Sequence, residues 1–125
     1  MDVKATVLSL FFLAALLYHV HRGEAACALS DIHVSVQRTG KLVEGQAEYQ
    51  VTVDNACSCP QSGVTVRCLG LSTVEPVDKS KISVIDGQNC LVAGGAAIAR
   101  GATVSFTYAW KTPQDFAVVS AKPQC

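Results

Sequence analysis

Six cysteines, Cys27, Cys57, Cys59, Cys68, Cys90 and Cys125, are the residues of this chain whose type and spacing promise chemistry, and two of them stand one residue apart in the run DNACSCPQSG. A structural zinc site pairs cysteines two to four residues apart and completes the set with a second pair or with histidines. Here one residue separates Cys57 from Cys59 and no second pair exists, so no metal or other cofactor is expected. A dithiol redox site needs C-x-x-C at the start of a helix, and neither feature is present. A disulfide between Cys57 and Cys59 themselves would be strained, because the Cα atoms of extended residues i and i+2 lie near or beyond about 7 Å apart. Each of the two is therefore expected to tie this corner to a different part of the chain. Cys27, Cys68, Cys90 and Cys125 are the available partners, and fifteen pairings of six cysteines remain open.

Whether disulfides form depends on the compartment, which the N-terminus addresses. After Met1, Asp2 and Lys4, residues 5–20 (ATVLSLFFLAALLYHV) carry no charge, and HRGEAAC follows. This is the layout of a secretory signal peptide, and sixteen uncharged residues fall short of the roughly 20 that span a bilayer. Cleavage after Ala25 places Gly23 and Ala25 at the positions that need small residues and keeps all six cysteines, an even number that suits a secreted chain. The expected organisation is a signal peptide over residues 1–25 and one domain over residues 26–125, exported to the extracellular space with no membrane insertion of the mature part. Eight acidic and eight basic side chains remain in that domain, with no basic tract. The electrostatic footprint of a nucleic-acid or anionic-membrane binder is therefore missing. Six cysteines in about a hundred residues are the mark of a small secreted domain that supplements a modest core with covalent links.

The other reactive groups do not assemble into a catalytic pattern, and no enzyme is expected. His33 is the one histidine after residue 25, and Ser35 two residues on is what an alternating strand produces without any catalytic purpose. The carboxylates show no recognisable pair. The glycine-rich AGGAAIARG segment lacks the G-K-[ST] ending of a phosphate loop.

Period-two alternation recurs along the chain, and no stretch sustains a helical period. Ile32, Val34 and Val36 share a face and Arg38-Thr39-Gly40 reads as the turn that follows. Ala47, Tyr49, Val51 and Val53 alternate with polar residues until Asp54-Asn55, and Val64, Val66 and Cys68 form a third run. Residues 81–85 make a short β-branched run, residues 93–101 a glycine-rich connection, and residues 116–121 a last strand. The strongest pattern places Ala102, Val104, Phe106, Tyr108 and Trp110 on one face against Thr103, Ser105, Thr107 and Ala109 on the other. Six or seven short strands in a hundred residues predict an all-β fold, a small disulfide-stapled antiparallel β-sandwich. Its aromatic face is expected to be core, with Trp110 at the strand end half exposed.

Several blocks of the sequence match together the pattern of one plant family. C-x-L-S-D-I-H-V from Cys27, V-D-N-A-C-S-C from Val53, V-x-C-L-G-L from Val66, N-C-L-V-A-G-G from Asn89, V-S-F-T-Y-A-W from Val104 and the terminal Cys125 fall in the order and spacing of the tapetum determinant family, which the chain resembles over its whole mature length. The resemblance implies a small secreted cysteine-rich protein of the apoplast, without enzymatic activity. It also implies a ligand for a plasma-membrane leucine-rich-repeat receptor kinase in the anther, where the family specifies tapetal cells and limits the number of cells entering meiosis. Binding surfaces concentrate in loops, here residues 77–81, 93–101 and 110–115. Arg100, Trp110 and Lys111 are the candidate receptor contacts, since arginine and aromatic side chains concentrate interface energy. Two rival readings are carried forward. A wall-associated carbohydrate-binding sandwich requires Tyr108 and Trp110 exposed in a flat row with Phe106 or Tyr49. An inhibitor of an apoplastic hydrolase requires a protruding loop, for which the segment 94–101 is the candidate.

Overall fold

The computed structural model describes residues 27–125. The expected signal peptide and its cleavage point lie outside these residues. Seven strands form among the described residues: β1 (Ile32–Val43), β2 (Gln46–Asn55), β3 (Gln61–Arg67), β4 (Ile82–Val84), β5 (Asn89–Val92), β6 (Thr103–Ala109) and β7 (Val118–Pro123). They make two antiparallel sheets, a three-stranded one in the order β1-β2-β6 and a four-stranded one in the order β4-β5-β3-β7. The all-β, disulfide-stapled architecture is the one the alternation predicts.

The core follows from that alternation. Val51 and Val53 of β2 and Phe106 and Tyr108 of β6 turn inward from the first sheet, and Val64 and Val66 of β3, Ile82, Cys90 and Val92 turn inward from the second. Phe116, which precedes β7, is 1% exposed. It meets Phe106 and Tyr108 edge-on, with ring centroids 5.6 and 5.5 Å away. The Cys68–Cys90 disulfide joins β5 to the residue just after β3, within this core.

Two local readings are corrected. Arg38-Thr39-Gly40 does not turn the chain; the register of β1 against β2 shifts between Arg38 and Leu42, and the strand runs on to Val43. Gly40 takes its left-handed φ of 90° inside this irregularity. The reversal comes at Glu44-Gly45, with φ of 49° and 77°, where Val43 pairs with Gln46. Two left-handed central residues are what a tight hairpin between right-twisting strands requires. Ala109, expected on the solvent face of β6, is fully buried. The connection after β3 covers it: Val74 N–H donates to Ala109 C=O (2.9 Å), and Ala109 N–H donates to Thr73 Oγ1 (3.0 Å).

This covering segment is clasped by a pair of carboxyl groups. Glu48, 7% exposed, accepts from Thr39 Oγ1 at 2.8 Å and lies 3.9 Å from Lys41 Nζ. A hydrogen bond to Glu75 is the largest influence on Glu48 and pulls its pKa down, helped by Thr39 and Lys41. Burial, then the bond and the charge of Glu48, push Glu75 up; Lys41 and Thr107 oppose this weakly. Glu75 thus holds its proton more tightly than Glu48. Stability from the raised Glu75 is complete below the ordinary glutamate value of 4.5 and is lost as pH rises through its folded value. Stability from the lowered Glu48 is present above 4.5 and is lost as pH falls through its own. The clasp is therefore tightest in mildly acidic solution. Glu75→Gln, which keeps the donor without titrating, is expected to abolish the loss of stability as pH rises above 4.5, measured as melting temperature and as amide exchange at Val74 and Ala109. An unchanged pH profile in the variant contradicts this coupling.

Candidate binding surface

The chain places its reactive-looking residues at the two ends of β6. At one end lies the Cys57-Ser58-Cys59 corner. Cys57 bonds Cys27, and Cys59 bonds the terminal Cys125, so both ends of the described chain are pinned to neighbouring positions. The sulfurs of Cys27, Cys57 and Cys59 lie within 4.8 Å of one another, and each is engaged in a disulfide.

Asn55, 1% exposed, organises the corner. Its Nδ2 donates to the carbonyls of Cys59 and Ile98, both at 2.9 Å. Its Oδ1 accepts from Cys57 N–H at 2.9 Å and from Gln61 Nε2 at 3.1 Å. All the hydrogen-bonding capacity that a buried amide needs to satisfy is thereby met on one side chain. The main chain of Asn55 also accepts from Gly101 N–H at 3.0 Å, which carries the adjacent Arg100 to this end of the sheet. Arg100 itself is exposed.

At the other end, Trp110 N–H donates to Ala47 C=O at 3.2 Å and starts the loop over residues 110–115. The indole is half-buried, and Lys111 Nζ sits 5.8 Å from its ring centroid, a cation–π contact at the surface. The buried Tyr108 hydroxyl anchors the loop by accepting Gln114 N–H at 2.7 Å, and Gln114 Nε2 reaches Ser72 C=O at 3.2 Å. Burial raises the Tyr108 pKa, so the hydroxyl stays protonated. Tyr108→Phe removes the acceptor and leaves the ring; it is expected to cost about 1 kcal/mol and to speed amide exchange at Gln114, without changing the core. Unaltered exchange at Gln114 would count against the anchoring role.

Beside this loop a cleft of about 420 Å³ is lined by Arg67, Leu69, Thr112, Pro113, Gln114 and Asp115. Leu69, Gly70 and Leu71 take left-handed φ values of 47°, 80° and 51°. This reversal sends Leu71 into the core at 7% exposure and leaves Leu69 69% exposed at the cleft. A leucine held in that conformation is uncommon and costs backbone strain.

Trp110 and Lys111 are thus brought together, whereas Arg100 lies at the opposite end of β6, about 20 Å away along the strand. The sequence reading missed Arg67, Leu69 and Gln114. Only Leu69 left a trace, as an apolar residue wedged between a cysteine and a glycine.

The flat aromatic row that carbohydrate stacking requires is not formed. Tyr49, Phe106 and Tyr108 are 4%, 5% and 0% exposed, and Tyr49 stacks on Tyr108 inside the sandwich with centroids 5.3 Å apart. The glycine-rich segment is also held down: Ile98 is buried and exchanges two main-chain hydrogen bonds with Gln61, at 3.1 and 2.8 Å.

These features define a class: a small antiparallel sandwich closed by three disulfides, with its accessible groups in loops at either end. The profile of the family described as "Tapetum determinant 1, C-terminal" matches residues 28–125, and the chain belongs to that family. Among curated proteins of rice, Oryza sativa subsp. japonica, it is similar to TPD1 protein homolog 1A, with 31% identity over 106 residues, covering 78% of this chain and 47% of the homolog. TPD1 protein homolog 1B is 30% identical over 84 residues, covering 66% of this chain and 50% of the homolog. The chain spans about half the length of these relatives. No solved structure matches it.

Proposed function

We propose that this protein is a secreted, non-enzymatic ligand for the ectodomain of a plant leucine-rich-repeat receptor kinase, acting in the anther to specify the tapetum and limit the number of sporogenous cells. The observation that carries the reading is the family match over residues 28–125, all of the described residues but Cys27. The physical form supports it. Three disulfides fix both ends of the described domain and the core strands, so little conformational entropy is lost on docking to a concave repeat array. No helix among the described residues is long and apolar enough to cross a membrane, in keeping with a ligand free to reach its receptor. The extracellular space, where such disulfides persist, is the proposed location.

The receptor-facing surface in this reading is the end where the loop that begins with Trp110 and Lys111 runs on through residues 112–115 into the wall of the cleft, opposite Arg67 and the exposed Leu69. Arg100, at the other end, then belongs to a separate contact or to none. Trp110→Ala with Lys111→Ala is expected to weaken receptor binding at least about tenfold, while Arg100→Ala changes it less than about threefold. Equal loss from both, or loss from neither, removes this assignment of the surface.

A further inference from the structure

Two sheets have four edges, and three of them are closed to further pairing. The edge of β6 carries the segment after β3, bonded at Ala109, with Pro76 and Asp78 beside Ser105 and Thr107. β4 is three residues long. β7 departs twice from regular register against β3 and ends at Pro123. Short strands, irregular register and proline are the ordinary guards of a sheet edge. β1 has such a guard only in its second half, where the shift between Arg38 and Leu42 and the exposed Lys41 interrupt it. From Ile32 to Arg38 it is straight, seven residues in continuous register with β2.

The orientation of the main-chain groups on this stretch can be read from one bond. Ala56 N–H donates to Asp31 C=O at 2.8 Å, so in an antiparallel ladder the odd residues, His33, Ser35 and Gln37, bond toward β2. The N–H and C=O groups of Val34, Val36 and Arg38 therefore point outward, and no hydrogen bond from the described residues reaches them. Val34 and Val36 are only half-buried at the rim of the core.

We infer that this edge is a docking site for a second copy of the chain, pairing β1 with β1 antiparallel about a two-fold axis at Ser35 and joining two three-stranded sheets into one of six. The sequence of the edge, Ile-His-Val-Ser-Val-Gln-Arg, is matched to itself in that register. Val34 of one copy falls opposite Val36 of the other, twice, on the inner face, and His33 falls opposite Gln37 on the outer face. The outward-pointing groups also coincide: Val34 and Val36 form a hydrogen-bonded pair twice, and Arg38 N–H meets Ile32 C=O twice, Ile32 N–H being already given to Leu29 C=O, so about six new main-chain bonds form. No like charges meet in this register, since Arg38 falls opposite Ile32 and His33 opposite Gln37. The domain, with equal numbers of acidic and basic groups, offers no net repulsion. A seven-residue pairing buries less than a standard interface, so the dimer is a weak one.

The test is the mass of the purified, oxidised protein by sedimentation from roughly 1 μM to 1 mM, a range that covers weak association. The expected result is a rise from monomer to dimer within that range. Val34→Pro deletes an outward N–H and no bond to β2, so the fold is kept and the protein should stay monomeric throughout. Ser35→Cys should form a disulfide-linked dimer, because the two copies of this residue meet as a non-hydrogen-bonded pair about 4.5 Å apart at Cα. Should Val34→Pro fail to fold, the Ser35→Cys product alone decides. A wild-type protein that is monomeric at 1 mM overturns the inference, as does a dimer that Ser35→Cys cannot link.

Discussion

Replacing Cys59 and Cys125 together by alanine is expected to destabilise the protein by about 4 kcal/mol, more than removing either of the other disulfides. The reason is loop length: this bond spans a sequence separation of 66, against 30 for Cys27–Cys57 and 22 for Cys68–Cys90. Closing a longer loop removes more entropy from the unfolded chain, although native strain and residual unfolded structure modulate the gain. For a domain of about a hundred residues the loss corresponds to a fall in melting temperature of roughly 20 °C. The double replacement is the informative one, since a lone Cys59 thiol would sit within 4.8 Å of the sulfurs of the Cys27–Cys57 bond and invite exchange. A melting temperature within a few degrees of wild type would mean that the C-terminus is not held by this link.

The second large effect is expected at Asn55. Asn55→Ala removes two donated and two accepted hydrogen bonds at a side chain 1% exposed to solvent. Gln61 Nε2 loses its acceptor in the interior, while the carbonyl of Ile98 keeps only the bond from Gln61 N–H, and an unsatisfied buried group costs about 1 to 3 kcal/mol. A total of about 3 to 4 kcal/mol follows, with Asn55→Asp scarcely better, because a carboxylate cannot donate to the two carbonyls. Gln61 would respond as well, being 1% exposed and bonded through both main chain and side chain to the same corner. Thermal melts of Asn55→Ala and Asn55→Asp check this, and a loss below about 1 kcal/mol in both would show that the corner is held by its disulfides alone.

Much of this architecture is visible in the sequence, for physical reasons that differ between elements. β2 and β6 announce themselves because each buries one face, so Tyr49, Val51 and Val53, and Phe106 and Tyr108, alternate with polar neighbours. The end of β1 does not, because glycine marks both a turn and an interrupted strand. Gly40 serves the second purpose, and the reversal falls to Glu44-Gly45, which lacks the asparagine or aspartate that usually signals it. Ala109 reads as a solvent-facing residue because its cover comes from a segment that forms no strand and has no period. That Cys57 and Cys59 tie to different parts of the chain follows from chain geometry. Their partners, Cys27 and Cys125, do not, since pairing depends on how the two sheets are stacked.

The sequence names the candidate residues one by one but does not show which of them the fold brings together. Trp110 and Lys111 were identifiable by residue type and position at the end of the strongest strand, and they stand together beside a cleft. Arg100 has the same residue-type credentials but stands at the opposite end of β6. Arg67 and Leu69 reach the cleft only through the left-handed run at Leu69, Gly70 and Leu71, which no periodicity predicts. Interface residues of this kind are set by where loops converge, and loop convergence is a property of the fold rather than of any one stretch.

The proposed function rests on recognition of a receptor ectodomain, and binding tests it most directly. The oxidised protein would be titrated against purified ectodomains of anther-expressed leucine-rich-repeat receptor kinases, with a cell-wall glycan array in parallel. The account predicts saturable binding to one ectodomain that persists at high salt, as expected for a neutral domain using an aromatic and apolar contact. Binding to glycan alone, or to no ectodomain, would contradict it.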